Sequence, residues 1–276
     1  MNGTGASADP SWRALLFVPA DRPERLAKAL DSGADAVIAD LEDAVRPERK
    51  GAAREEARRF AAEAGGPARV VRVNEPLSEA GALDLGSLGE TRPAAVMVPK
   101  ASLDSVRAAA RVVPRVIALV ETAAGLREAG RIAAEECVVA LALGTVDLAA
   151  ELRLAPLPGG EELLYCRSSL VVDAAAAVVP AFDGPFLDPG DEAGIATEAR
   201  RARALGFAGK LCIHPRQVGP VRAAFAPSSE EVERASRVLD AYERENGGAI
   251  VVDGRMVDAA VLREARRIVA EAGPPR

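Results

Sequence analysis

The 276-residue chain has a single histidine, His214. That excludes a metal site built from several imidazoles and any mechanism that needs two of them. Lysine is scarce too, limited to Lys28, Lys50, Lys100 and Lys210. Carboxylates and arginines must therefore run most of any chemistry. No run approaches the ~20 apolar residues that a membrane-spanning helix needs, so no membrane partner is expected. The three cysteines, Cys137, Cys166 and Cys212, are odd in number and widely spaced in apolar stretches. They read as buried reduced thiols of a cytoplasmic protein, not as a disulfide framework. The first dozen residues, MNGTGASADPSW, lack a basic start and an apolar segment, and are expected to be a frayed tail and not a secretory signal. A net charge of −6 argues against nucleic acid as a partner, since such binders normally present a basic face. A few local arginines still suffice for a small anionic ligand.

What is present has a clear rhythm. Short apolar runs alternate with longer Ala/Arg/Glu segments, the pattern of repeated βα units. Strands are predicted at 14–19, 36–40, 69–74, 94–99, 115–120, 137–143 and 209–213, with a weak one at 181–187. Helices are predicted at 23–32, 50–64, 103–112, 125–135, 161–178, 192–205 and 216–225. Segment 75–92, broken by Pro and Gly, predicts a loop with at most one short helix. Eight strands in this length suit a (β/α)8 barrel over residues 13–226. Beyond it the rhythm changes. Ser228 with Glu231 three residues later forms a capping box for a helix to about residue 245. Asp253-Gly254 between AIVV and MV is a hairpin signal, and a last amphipathic helix covers 259–272. Residues 227–276 thus form a helix–hairpin–helix appendage.

In such a barrel, functional residues come from the carboxyl ends of strands and the loops after them. Those ends carry Asp21, Arg22, Glu24 and Arg25, then Asp40-Leu41-Glu42-Asp43, Arg72 and Asn74, Lys100, Glu121-Thr122, Gly144-Thr145-Val146-Asp147, and His214. Any one could be a solvated loop start. Acids and arginines converging at one rim with no more than a single histidine suit a hard, oxygen-ligated ion such as Mg²⁺.

The segments LFVPADRPER (16–25), ADAVIADLEDAV (34–45), RVN (72–74), VPK (98–100), ALVETAAGL (118–126), GTVDLAAEL (144–152) and IHPRQV (213–218) resemble the citrate lyase beta-subunit-like branch of the HpcH/HpaI aldolase superfamily. The resemblance covers nearly the whole chain and keeps motif order and spacing. It implies a barrel that cleaves or forms 3-hydroxy acyl thioesters, such as malyl-CoA, citramalyl-CoA or citryl thioesters. It also implies Mg²⁺ held by Glu121 and Asp147, Arg72 binding the substrate carboxylate or developing oxyanion, and Asp40 and Glu42 partnering metal-bound water. The terminal stretch GRMVD resembles the motif whose aspartate, here Asp258, transfers a proton. In relatives that appendage covers the barrel mouth of a neighbouring subunit, which implies a homo-oligomer, a trimer or a multiple of one. The thioester's carrier is either coenzyme A or an acyl carrier protein, as in a citrate lyase complex. A malyl-CoA thioesterase or a non-catalytic scaffold barrel are the alternatives. Three departures stand out: Ala20 where the family usually has Gly, Val146 where it commonly has Glu, and a loose fit over 181–191.

Each residue also has a plainer reading. Glu121 suits the dipole of a helix N-terminus, and Asp147 and Asp258 suit helix caps. Arg72 within a strand could be a structural partner of Asp40 or Glu42. Asp40 and Glu42 share a face if the strand persists, with Asp43 opposite. Lys100 among acids is expected to be paired and protonated, which disfavours Schiff-base chemistry. Arg22, lying before its helix, is a better candidate for CoA phosphates than Arg25 or Lys28. His214 beside Pro215 reads as wall structure.

Overall fold

Eight parallel strands close on themselves in sequence order: β1 (Ala14–Pro19), β2 (Ala36–Asp40), β3 (Ala68–Arg72), β4 (Ala95–Val98), β5 (Val116–Val120), β6 (Val138–Leu143), β7 (Ala181–Asp183) and β8 (Gly209–Cys212). β8 returns to pair with β1, with Leu15 opposite Leu211. This is the (β/α)8 barrel that the rhythm predicts. The computed structural model describes residues 12–157, 159–244 and 250–272. The expected N-terminal tail, apart from Trp12, lies outside them, as do Glu245 and Ala249 of the predicted appendage. The chain divides into two compact units, residues 1–223 and 224–276.

Helices follow each strand: α1 (Pro23–Leu30), α2 (Lys50–Ala62), α3 (Glu79–Leu88), α4 (Leu103–Ala110), α5 (Ala123–Ala133), α6 (Thr145–Glu151), α7 (Leu164–Ala176), α8 (Glu192–Leu205) and α9 (Pro215–Phe225). Local chemistry sets their starts. Pro23 opens α1, where its missing N–H costs no hydrogen bond. Ser78, Ser102, Thr122 and Asp191 each accept a backbone N–H at the start of α3, α4, α5 and α8. The two places where the sequence pattern is weakest are informative. The 75–92 segment holds a full ten-residue helix, α3, because Ser78 caps it and Leu85 and Leu88 are buried despite the glycines. The weak seventh strand stops at Asp183, ahead of Pro185, which has no N–H to give to a ladder.

Strand parity divides the barrel. Leu15, Ile38, Val70, Met97, Ile117, Ala140, Phe182 and Leu211 share one buried cluster inside it, closed off by Trp12, whose ring stacks 6.5 Å from that of Phe182. Each fully buried large apolar side chain contributes roughly 1.5–3 kcal/mol. Two residues on from this inner set, the same parity reaches Asp40, Arg72 and Ile213, and two further steps from Ile117 reach Glu121. The opposite parity faces the helices, and there Asp183 and Lys210 sit side by side in register. Lys210 Nζ lies 2.6 Å from both Asp183 Oδ2 and Glu198 Oε1, while Arg167 Nε donates to Asp183 Oδ1 at 2.9 Å. Burial opposes the charge on Asp183, yet Lys210 and Arg167 hold its carboxyl below the usual carboxylate range. The three cysteines are free, and burial pushes the Cys212 thiol up to about 12.

The second unit contains α10 (Ser229–Arg244), the hairpin β9 (Ile250–Val252) and β10 (Arg255–Val257), and α11 (Ala259–Ala272). Its capping box is reciprocal: Ser228 N donates to Glu231 Oε2 at 2.7 Å, and Glu231 N to Ser228 Oγ at 3.2 Å. Asp253 and Gly254 both have positive φ, 51° and 73°, as a two-residue hairpin turn of the right twist requires. Ala235, Val238, Val257, Leu262 and Ala265 form its own small core.

Removing one member of the outer ion cluster leaves the others buried and undercompensated. Lys210→Met is expected to cost about 3 kcal/mol, read as a fall of roughly 6–10 °C in melting temperature. A change below about 2 °C would show the cluster to be energetically neutral.

Candidate active site

The inner-facing strand ends enclose a cavity of about 420 Å³. One part of its wall is acidic and carries Asp40, Asp43, Glu121 and Asp147 beside Arg72. The rest is apolar and includes Phe17, Leu119, Leu211 and Ile213. The parity that fills the barrel with aliphatic side chains thus delivers the charged groups to its open end.

Asp40 and Arg72 face each other in register across β2 and β3. Arg72 donates from Nε and Nη2 to the two Asp40 oxygens, both at 2.7 Å, and its guanidinium lies 4.8 Å from the centre of the Phe17 ring. Burial disfavours the charge on Arg72, but Asp40 and Glu42 hold it on and raise its pKa above the ordinary arginine value. Glu42 Oε2 is 3.0 Å from Arg72 Nη1. It is a charge contact without hydrogen-bond alignment, so this buried oxygen has no hydrogen-bond donor among the described residues. The structural pairing weighed for Arg72 is therefore present, with both acids at once. It takes two of the guanidinium's five N–H groups in hydrogen bonds and fixes the plane of the rest.

Glu121 follows β5 and is almost fully buried at 3% exposure. Its Oε1 accepts the Lys100 backbone N–H at 2.9 Å. Lys100 has a φ of 45°, the left-handed region that a non-glycine residue adopts at a cost, and this aims its N–H at Glu121. Burial, and then repulsion from Glu42, pushes the Glu121 carboxyl up to about 7. Thr122, not Glu121, caps α5. Asp147 is exposed in the first turn of α6, a seven-residue helix whose N-cap position is Gly144, so it is not the cap residue either. Gly144 is needed there: a Cβ on it would overlap the Glu121 Cβ and lie 2.6 Å from Oε2.

Among the described residues no group of three or more His, Cys, Asp or Glu is arranged as a metal cluster. Two carboxylates in a cavity instead match Mg²⁺, which commonly takes one or two protein carboxylates and keeps several waters. A buried glutamate with raised pKa and a donorless Glu42 oxygen nearby fit a hydrated cation.

The remaining candidates lie differently. Lys100 Nζ is 3.4 Å from Glu42 Oε1. Burial works against its charge, while Glu42 and Glu121 raise its pKa, the setting of a protonated ion-pair partner. Asp43 lines the cavity because β2 ends at Asp40, and the assumed alternation of Asp40, Glu42 and Asp43 does not continue. Arg22 is exposed near Asp21, at 3.8 Å, and is not part of the cavity wall. His214 Nδ1 accepts the Arg216 N–H, a turn contact. Val146, where an acid is common in the resembling family, is 47% exposed on the cavity wall. In the second unit Asp258 Oδ1 accepts the N–H groups of Ala260 and Val261 at 2.8 and 3.0 Å, capping α11. Those bonds hold its carboxyl below the usual range. Phe17, Lys50 and Asp84 were not singled out in sequence, while Gly144 and Asn74 stood among the strand-end residues without a role of their own. Gly144 opens the GTVD stretch that ends in Asp147.

A sequence model of the HpcH/HpaI aldolase/citrate lyase family matches residues 13–215. The chain belongs to this family. Within it the chain falls in the citrate lyase beta-like branch of oxo-acid lyases. It is 42% identical to a citrate lyase subunit beta-like protein of Mycobacterium tuberculosis H37Rv, covering 97% of each chain. It is 35% identical to a (3S)-malyl-CoA thioesterase of Cereibacter sphaeroides, covering 95% of this chain and 94% of that one. The solved structure of M. tuberculosis CitE in complex with magnesium, acetoacetate and coenzyme A superposes with a TM-score of 0.86 at 39% identity, over 98% of this chain and all of that one. No described helix of this chain is long and apolar enough to cross a membrane.

Two outcomes follow from Glu121. The folded chain holds its proton more tightly than an unfolded one, about 7 against 4.5. Its contribution to the stability of the metal-free protein is therefore full below about pH 4.5 and lost as pH rises through about 7. A metal needs the ionised form, so Mg²⁺ affinity should climb through the same range with a proton released on binding. Calorimetry in buffers of different ionisation enthalpy reads both, and affinity that is flat between about pH 6 and about pH 8 would refute the shift. Gly144→Ala is expected to displace Glu121 and weaken Mg²⁺ binding about tenfold or more, while Gly51→Ala, where a Cβ meets nothing within 4 Å, should not.

Proposed function

We propose that this chain is a Mg²⁺-dependent carbon–carbon lyase. It cleaves or forms a 3-hydroxy acyl-CoA thioester, such as citramalyl-CoA or malyl-CoA, with a 2-oxo acid and acetyl-CoA as the other side of the reaction. The observation that carries the reading is the meeting of Glu121, Asp147 and Arg72 in one cavity at the carboxyl end of the barrel.

Mg²⁺ held by Glu121 and Asp147 would act as a Lewis acid toward the carboxylate and adjacent oxygen of the 2-oxo-acid half. Arg72, its plane fixed by Asp40, presents its remaining N–H groups where a substrate carboxylate or enolate oxygen carries charge. Glu42 offers its donorless oxygen to bound water. The apolar side of the cavity excludes bulk water from the bond being broken. Asp258, ionised at neutral pH, is in the form that takes a proton from the acetyl methyl group in the condensing direction. Its partner barrel would belong to a neighbouring subunit of a homo-oligomer, a trimer or a multiple of one. Arg22 is assigned to the coenzyme A phosphates. A thioesterase reading is favoured by the 35% identity to the (3S)-malyl-CoA thioesterase, and the same metal site serves it.

Malyl-, citramalyl-, β-methylmalyl- and citryl-CoA, assayed with and without Mg²⁺, separate these readings. Release of a 2-oxo acid with acetyl-CoA, or with propionyl-CoA from β-methylmalyl-CoA, supports the lyase; free CoA with an intact hydroxy acid supports the thioesterase; turnover of none removes both. Arg72→Lys is expected to lower kcat by about 10²–10³ with the fold intact. Asp258→Asn caps α11 as well as aspartate does, so a loss of at least about 10² in rate at unchanged melting temperature would mark proton transfer. Mixed oligomers of Asp258→Asn and Arg72→Ala subunits should recover part of the activity if Asp258 acts across subunits.

A further inference from the structure

The turn that carries Glu42 is held from behind by groups outside the cavity wall. Lys50, the first residue of α2, directs its ammonium at the carbonyl oxygen of Leu41, at that of Glu42 (2.7 Å) and at Asn74 Oδ1 (2.9 Å). An ammonium has three N–H donors, so these contacts use all of them. Asn74 Nδ2 in turn donates to Leu41 O at 2.9 Å and to Asp84 Oδ2 at 2.5 Å. Asp84 Oδ2 also accepts the Asn74 N–H, and Asp84 Oδ1 accepts from Arg54 Nε at 2.6 Å. Asp84 is fully buried. One chain of charged contacts therefore runs from Arg54 on α2, through Asp84 on α3 and Asn74 after β3, to Lys50 and the Leu41–Glu42 main chain.

The position of Lys50 is informative. Lys50 continues without a break from a 3-10 turn over Pro47–Arg49, whose acid is Glu48, and stands where that turn passes into α2. From there its ammonium reaches back to the Leu41–Glu42 turn. At the same turn the Glu42 N–H donates to Asp40 Oδ1 at 2.9 Å. The Glu42 peptide is thus tied at its N–H by Asp40 and at its C=O by Lys50, and its carboxylate meets Arg72 and Lys100.

We infer that Lys50 is a positioning residue, which holds the Leu41–Glu42 turn so that the Glu42 carboxylate stays against Arg72 in the site. This inference rests on the reading of that cavity as a lyase centre. Lys50 touches no reacting atom; Asn74 and Asp84 orient it.

Hydrogen exchange reads the hold without any turnover. Lys50→Met is expected to raise exchange across residues 41–44 by about tenfold with the rest of the barrel unchanged. Unchanged exchange there overturns the inference. The kinetic arm is a double-mutant cycle with Glu42→Gln. Lys50→Met should lower kcat by about 10²-fold with KM moved less than about twofold. Placed on Glu42→Gln it should cost less than about twofold more, because the group it positions is already gone. Equal losses in both backgrounds overturn the inference in favour of a purely structural lysine. If Lys50→Met does not fold, Lys50→Arg keeps the charge but not the three-way geometry, and the same cycle applies to it. A wild-type chain that turns over no thioester defeats the lyase reading, and the exchange result then decides the hold alone.

Discussion

The two-pronged contact between Arg72 and Asp40 is the constraint around which the site is arranged. It exists because β2 and β3 run in register, so their last residues stand side by side on the inner face. Both side chains are largely shielded from water, with 12% and 3% of their surfaces exposed. Removing one partner would strand the other charge, at a cost of about 3–5 kcal/mol. The same Asp40 oxygen that accepts from Arg72 Nε also accepts the Glu42 N–H, so a single carboxylate sets both the guanidinium plane and the start of the Glu42 turn.

Charge at the barrel mouth is unbalanced in a way that has chemical consequences. Asp40, Glu42, Asp43, Glu121 and Asp147 outnumber Arg72 and Lys100 there. Asp40 is satisfied by Arg72, and Lys100 is shared with Glu42. The surplus is felt at Glu121, whose carboxyl is driven upward by burial and by Glu42. A divalent cation is the natural counter-charge for such a place, and oxygen ligands without histidine select a hard one.

The outer cluster of Asp183, Lys210, Arg167 and Glu198 shows what a closed version of the same chemistry looks like. It too is built on register-paired strand residues, but of the outward parity, so helices α7 and α8 cover it. Lys210 and Asp183 are saturated by one another and by their neighbours, with 1% and 0% of their side chains exposed. At the inner rim, by contrast, Glu42 Oε2 has no hydrogen-bond donor among the described residues, and Arg72 gives two of its five N–H groups to Asp40. The outer cluster is closed upon itself, whereas the inner one borders a cavity through Asp40 and Arg72.

The barrel was written in the sequence because both of its periods are local: apolar runs of strand length, and capped segments of helix length between them. The acids at the strand ends were legible for the same reason, and the motif likeness assigned them roles that composition alone could not. Other features depended on where strands stop. Asp43 reached the cavity because β2 ends at Asp40, and α3 formed in a glycine-broken segment because Leu85 and Leu88 found a buried surface. The closeness of Gly144 to Glu121, the left-handed turn at Lys100 and the reach of Lys50 to the Leu41–Glu42 carbonyls join residues that are 8 to 23 positions apart. Residue type and order determined which groups could line the mouth of this barrel. Only closure of the sheet decided which of them touch, because register between strands is a property of the whole ring and of no single segment.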